Sequence, residues 1–257
     1  MDSPLLDDRA SNSTRRAFLT RSAAGAAVGG LIWVAPSVLT VDAAAAASCG
    51  VGGSIDWSGQ TVNTSPASVL SNGVLATITK TTNASAQVDA FTVYDPLAPP
   101  AAPTPVPGAG NFGGQSAKYY RLAMKNAPLN AELDLQFDFT KTAAVIKVNA
   151  LKFTLFDIDG FSNLNWWDKV IIETVPALAA FTATKPGATN PPTGAGTAAS
   201  PLLGAGTVAD ATNNGNVDIV FSVPVSSVKI RYIENKATAN NDNQYVGIGN
   251  LTWTGCT

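Results

Sequence analysis

Histidine is absent from all 257 residues. That excludes Ser-His-Asp and Cys-His catalysis, histidine-ligated zinc and histidine-ligated haem together. Cysteine is nearly absent. The two present, Cys49 and Cys256, exclude four-cysteine zinc and most iron–sulfur sites. Charged residues make up 13% of the chain, and the formal net charge of −2 gives no electrostatic reason to expect nucleic acid, which needs a basic face. Glutamate is confined to Glu132, Glu173 and Glu234. What remains is a weakly charged chain rich in Gly, Ala, Thr and Asn, of which 46% is hydrophobic.

Residues 1–47 read as an address. The run Thr14-Arg15-Arg16-Ala17-Phe18-Leu19-Thr20-Arg21 resembles the twin-arginine export motif, carried by Arg15, Arg16, Phe18 and Leu19. Arg21 stands one position beyond the usual lysine. An apolar stretch diluted by Gly25, Gly29, Gly30 and Pro36 follows, and Ala43–Ala47 offers A-x-A cleavage sites. The resemblance implies a cleaved signal over 1–47 and a mature domain over 48–257, with no membrane span in the mature protein. It also implies a secreted, extracellular or cell-envelope location. A retained anchor and lipidation of Cys49 are the alternatives; Ala46 stands where lipoprotein signals usually carry Leu. Export makes an oxidised Cys49–Cys256 pair the expectation for the only two cysteines. Such a bridge closes a loop of roughly 200 residues, worth about 5 kcal/mol in the chain-entropy model and ~2–4 kcal/mol in usual practice.

Beyond the signal the pattern is that of strands. Leu133, Leu135, Phe137 and Phe139 alternate with Asp134, Gln136 and Asp138. Further β-rich runs are Val74–Thr81, Gln87–Tyr94, Val145–Phe156, Lys169–Val175, Val217–Val223, Val228–Ile233 and Tyr245–Trp253. Turn chemistry separates them, as at Ser71-Asn72-Gly73 and Asn213-Asn214-Gly215. No helix of ten residues is expected outside the signal. The fold class is therefore all-β: a single antiparallel β-sandwich, jelly-roll-like, of eight to ten strands. Two long segments, the Pro-rich Pro96–Gly110 and the Gly/Ala/Thr-rich Thr182–Thr212, read as surface loops.

One stretch carries a concentration of polar chemistry. Between two strands lie Asp157, Asp159, Asn163, Asn165 and Asp168, with Trp166-Trp167 inside the same span. Oxygen ligands without His or Cys suit calcium (Ca2+), with the three aspartates and an amide oxygen from Asn163 or Asn165 as the ligand set. The span is not an EF-hand: Phe161 and Ser162 occupy positions five and six, and strands replace helices. The alternative is that the three aspartates cap strand ends by accepting backbone N–H bonds. Alternation turns one of Trp166 and Trp167 outward, as a sugar-stacking platform or as a lid on the core edge.

Asp157-Ile158-Asp159 with Trp167-Asp168-Lys169-Val170, followed by the endings Val223–Tyr232 and Gln244–Trp253, resembles the closing strands of jelly-roll, lectin-like or adhesin-like modules of bacterial exported proteins. The resemblance implies a fold and a location more than an activity. Three functions compete. The first is a non-catalytic surface protein for adhesion, glycan binding or envelope structure, whose partner is a glycan or cell-envelope polymer. The second is a jelly-roll glycoside hydrolase or lyase, which needs convergent carboxylates; Glu132 and Glu173 read instead as solvated surface acids. The third is a subunit of a surface fibre or layer joined through a strand edge. The expectation is no enzyme and no catalytic residue.

Overall fold

The strand with the clearest alternation becomes the middle of a sheet. Leu133, Leu135, Phe137 and Phe139 are buried, while Asp134, Gln136 and Asp138 are half-buried on the opposite face. The computed structural model describes residues 51–83, 88–97, 112–125, 128–161, 166–208, 211–235 and 243–257. In chain order its strands are β1 (Gly53–Ile55), β2 (Ser68–Ser71), β3 (Val74–Thr82), β4 (Val88–Tyr94), β5 (Tyr119–Lys125) and β6 (Glu132–Lys141). There follow β7 (Ala144–Val145), β8 (Val148–Asn149), β9 (Lys152–Phe156), β10 (Gly160–Phe161), β11 (Trp166–Val175) and β12 (Phe181–Thr184). The last are β13 (Leu202–Leu203), β14 (Val217–Phe221), β15 (Ser227–Glu234), β16 (Asn243–Ile248), β17 (Leu251–Trp253) and β18 (Gly255–Cys256). Among the described residues the only helical turns are the 3-10 segments Trp57–Gly59 and Phe112–Gly114.

All the pairings are antiparallel, and the two large sheets pack face to face as a sandwich. The first sheet runs β12–β14–β9–β16–β5–β4, with β17 also on β9 and β1 on β17. The second runs β10–β11–β15–β6–β3–β2, with β13 on β11 and β7 on β6. The pairs nest: β5 pairs β16, β6 pairs β15, β9 pairs β14, and β11 pairs β13. The chain from β5 to β11 is thus retraced by the chain from β13 to β16, with successive nested pairs falling in alternate sheets.

The core lies between the sheets. The Trp57 ring sits 5.1 Å from Tyr120 of the first sheet and 6.4 Å from Phe137 of the second. Phe139 meets Trp253 at 5.5 Å across the same interface. Trp57 is pinned by its indole N–H donating to the Gly249 carbonyl at 2.9 Å and by its backbone N–H donating to Asn250 Oδ1 at 3.0 Å. Truncating a buried aromatic of this kind costs about 3–5 kcal/mol.

Several sequence expectations change. The run Val145–Phe156 is not one strand: β7, β8 and β9 pair with β6, β18 and β14 respectively, and Ala150 turns between the last two at φ 48°. Tyr245–Trp253 breaks at Gly249-Asn250, where Asn250 is engaged with Trp57 and Asp56. Thr182–Thr212 is not merely a surface loop. It holds most of β12, all of β13, and the buried Leu202 and Val208. Pro96–Gly110 falls outside the described residues apart from Pro96 and Leu97. Arg15, Arg16, Phe18, Leu19 and Cys49 also fall outside them, while Cys256 is buried on β18.

Candidate functional site

The aspartates singled out from the sequence converge at one end of the core. The chain leaves β9 at Phe156 and turns through Asp157 at φ 62°, a left-handed conformation that Asp tolerates better than most residues. Ile158 enters the core, its N–H donating to the Gly215 carbonyl at 2.9 Å. Asp159 and Asp168 then bind each other's chains. The Asp159 N–H donates to Asp168 Oδ2 at 3.1 Å, and the Asp168 N–H donates to the Asp159 carbonyl at 2.9 Å. The Tyr232 hydroxyl donates to Asp168 Oδ1 at 2.6 Å, and the Val208 N–H donates to Asp159 Oδ2 at 3.2 Å. Two glycines allow this closeness: a Cβ on Gly160 would collide with the Trp167 ring, and one on Gly204 with the Asp159 carbonyl.

These acids face inward. Asp168 shares its phase on β11 with Val170 and Ile172 of the core, and lies opposite Glu234 of β15. Both acids are 1% exposed, and Asp157 and Asp159 are buried beside them. Burial holds the Asp168 carboxyl well above the ordinary aspartate range, and the neighbouring Asp159 charge raises it further. Burial and the Asp168 charge also lift the Tyr232 phenol well above its usual value. What this geometry does chemically is cap: both Asp168 oxygens and one Asp159 oxygen accept protein hydrogen bonds. Among the described residues, no three carboxylates converge as a metal-holding group. Asn163 and Asn165 lie outside the described residues, as does the Trp166 side chain. Trp167 is half-buried and lies over Gly160 as a cover. Sequence reasoning missed Tyr232 and Glu234 as members of the cluster. The signal was their inward phase with Val228 and Ile230.

A different region offers a binding surface. On the outer face of the first sheet, a groove of about 440 Å³ is lined by Gln115, Lys118, Thr154, Phe156, Asn213, Asn216, Asp218 and Asn250, among others. Phase explains the lining. Phe153 and Leu155 point to the core and send Thr154 outward, and Val217 and Ile219 do the same for Asp218. Thr154 donates its hydroxyl to Asp218 Oδ1 at 2.6 Å. Asn216 donates from Nδ2 to the Gly113 carbonyl at 2.8 Å, while its buried Oδ1 has no hydrogen-bond partner. Lys118 donates to the Ser58 and Gln60 carbonyls at 3.2 and 3.1 Å. A smaller cavity of about 390 Å³ shares Thr154, Asp218 and Asn250 and extends to Lys152 and Thr252. An apolar cavity of about 510 Å³ lies apart from both, between Ile172, Leu178 and Phe181.

No protein-family model, curated protein or solved structure matches the chain. The residues themselves must therefore carry any functional argument. Among the described residues, no helix is long and apolar enough to cross a membrane.

Proposed function

We propose that the protein is a non-catalytic, exported carbohydrate-binding β-sandwich whose saccharide lies in the groove over β9, β14 and the β16–β17 bend. The observation that carries this reading is the lining of the groove. Four side-chain amides, those of Gln115, Asn213, Asn216 and Asn250, lie there with the Thr154 hydroxyl, and Lys118 and Asp218 are the charged groups among the lining residues. Amides both donate and accept, as sugar hydroxyls do, and sites of this size orient ligands with a few placed polar groups. A glycoside hydrolase needs two facing carboxylates. The groove has Asp218, already bonded to Thr154. Binding without cleavage is what such a site supports.

The nested strand pairing supports the jelly-roll reading, in which two Greek keys wrap one long folded hairpin. The pairing of β1 with β17 supports the terminal disulfide. Its register sets Gly53 against Trp253. β1 begins four residues after Cys49, and Trp253 stands three residues before Cys256. Among the described residues there is no free cysteine. Intact mass after alkylation without reductant should show no modified thiol, and Cys256→Ser should cost about 2–5 kcal/mol of stability in denaturant titration. Two alkylated cysteines would remove the bridge.

Binding is tested on a glycan array and then by titration calorimetry with the purified full chain. Asn213→Ala and Gln115→Ala should each weaken saccharide binding about fivefold, the worth of one hydrogen bond of about 1 kcal/mol. Both should leave the melting temperature unchanged. Binding to no saccharide, or release of reducing ends from a bound one, would end the reading.

A further inference from the structure

The floor of the groove is built from the outward phase of β9 and β14, and register sets those residues in rows. Asp218 stands opposite Thr154, and Val220 stands opposite Lys152. Thr252 of β17 flanks Lys152 on its other side. The residues between them, Phe153 and Ile219, lie in the core, so all of these side chains leave the same face of the sheet. The larger cavity, of about 440 Å³, includes the Asp218–Thr154 row and runs from it past Phe156 and Asn216 to Gln115 and Asn213. The smaller one, of about 390 Å³, includes the same row and runs the opposite way, to Val220, Lys152 and Thr252. The two cavities thus meet over one cross-strand pair and continue each other along the strands.

Their combined length exceeds what one sugar ring needs. Four residues on each strand, about 13 Å, separate the Phe156 and Asn216 end of the floor from the Lys152 and Val220 end, and Gln115 and Asn213 carry the lining further. The residues met at either end are exposed: Ala150, Ser222 and Thr254 at one, Pro186 and Asn213 at the other. A chain lying along the strands can therefore leave the trough in both directions. The groups common to both cavities are held in place by the protein. Thr154 donates to Asp218 Oδ1 at 2.6 Å, and the Asn250 amide is engaged with Trp57 and Asp56. Val220, 41% exposed, and the Lys152 stem add apolar surface at the far end, against which the C–H face of a sugar ring can pack.

We infer that the trough takes an internal stretch of a linear polysaccharide, several sugar units at once, rather than a monosaccharide or a chain terminus. The inference rests on the carbohydrate reading of the groove. Each further unit gains contacts without a second loss of translational freedom, so affinity climbs with chain length until the trough is full.

The test uses the full chain in titration calorimetry against linear oligomers of glucose, xylose, mannose and N-acetylglucosamine, each from monomer to hexamer and each also with its reducing end converted to the alditol. For at least one sugar, affinity should rise about tenfold or more between the shortest oligomer that binds and the hexamer, and the alditol form of the hexamer should bind as well as the free one. Lys152 and Val220 line only the smaller cavity and are exposed, so Lys152→Ala and Val220→Ala should leave the melting temperature unchanged. Each should weaken the hexamer severalfold and leave the shortest binding oligomer unaffected. Equal affinity at every length, or loss of hexamer binding on reduction of its end, overturns the inference and leaves the carbohydrate reading standing. A rise with length that neither variant alters places the added contacts outside the trough and overturns the inference as well. Absence of binding to every oligomer overturns both readings.

Discussion

Strands β11 and β15 carry acids on both faces, and the two faces treat them in opposite ways. On the outer face, Glu173 pairs with Lys229. Arg231 Nε donates to Asp134 Oδ1 of β6 at 3.0 Å and lies 3.9 Å from Glu132. The Asp134 hydrogen bond leads in holding the Arg231 guanidinium above its usual pKa. Every member of this network keeps contact with water, so each pair contributes about 0–1 kcal/mol. On the inner face, Asp168 and Glu234 are stripped of water, and the charges pressing on Asp168 are those of Asp159 and Asp157. One residue along a strand thus separates a charge that is nearly free of cost from one that the fold must neutralise. Pairs in solvent can be lost cheaply, whereas buried groups must be hydrogen-bonded or uncharged.

Adjacent residues test this most sharply. Ile230→Ala, inward, should lower stability by about 2–5 kcal/mol. Arg231→Ala, outward, should lower it by about 1 kcal/mol or less, and by still less at high salt. Chemical denaturation of the two variants checks the contrast, and comparable losses would erase the distinction between the faces.

Next in size is Tyr232→Phe. It removes the donor to Asp168 Oδ1 and leaves that oxygen buried, which should cost about 1–3 kcal/mol. Thermal melts at neutral pH measure it, and a melting temperature equal to that of the parent would mean the bond contributes nothing.

The Asp168 carboxyl binds its proton more tightly in the folded protein than in the unfolded chain. Its contribution to stability is therefore complete below the unfolded value near 3.8, and is lost as pH rises through the raised folded value. Asp157, Asp159, Tyr232 and Glu234 act on the same group or lie beside it. Asp168→Asn removes the titration and can keep both hydrogen bonds, its Oδ1 accepting from the Asp159 N–H and its Nδ2 donating to Tyr232. The variant should gain on the parent as pH rises from 4 to 8, and a difference independent of pH would contradict the raised carboxyl. The smallest expected effect is that of calcium. With both Asp168 oxygens already accepting hydrogen bonds, calcium should leave the melting temperature where EDTA leaves it. A calcium-dependent rise that disappears in Asp157→Asn would establish the metal reading of the loop.

The sequence was most legible where one face of a strand meets solvent. In β6 every second residue is polar, so period two shows without ambiguity. Strand β5 was not read, because Tyr119-Tyr120-Arg121-Leu122-Ala123-Met124 is buried on both phases and shows no alternation. The two-residue β13 has no pattern at all; it exists because Lys169 and Val170 of β11 pair with it. The cluster of Asp157, Asp159 and Asp168 stood out by density. Its partners Tyr232 and Glu234 arrive from more than sixty residues away, through the register of β15 on β11.

By itself, the sequence determined that the chain folds as strands into a sandwich and that histidine chemistry and four-cysteine metal sites are closed to it, because composition and period two are local properties. The tertiary structure alone decided that Asp168 sits in the core while Glu173 sits in an ion network, and that Thr154 and Asp218 meet in the groove. A side chain's phase on its strand is local, but whether that phase meets water, a counter-ion or another sheet depends on which distant strand lies alongside.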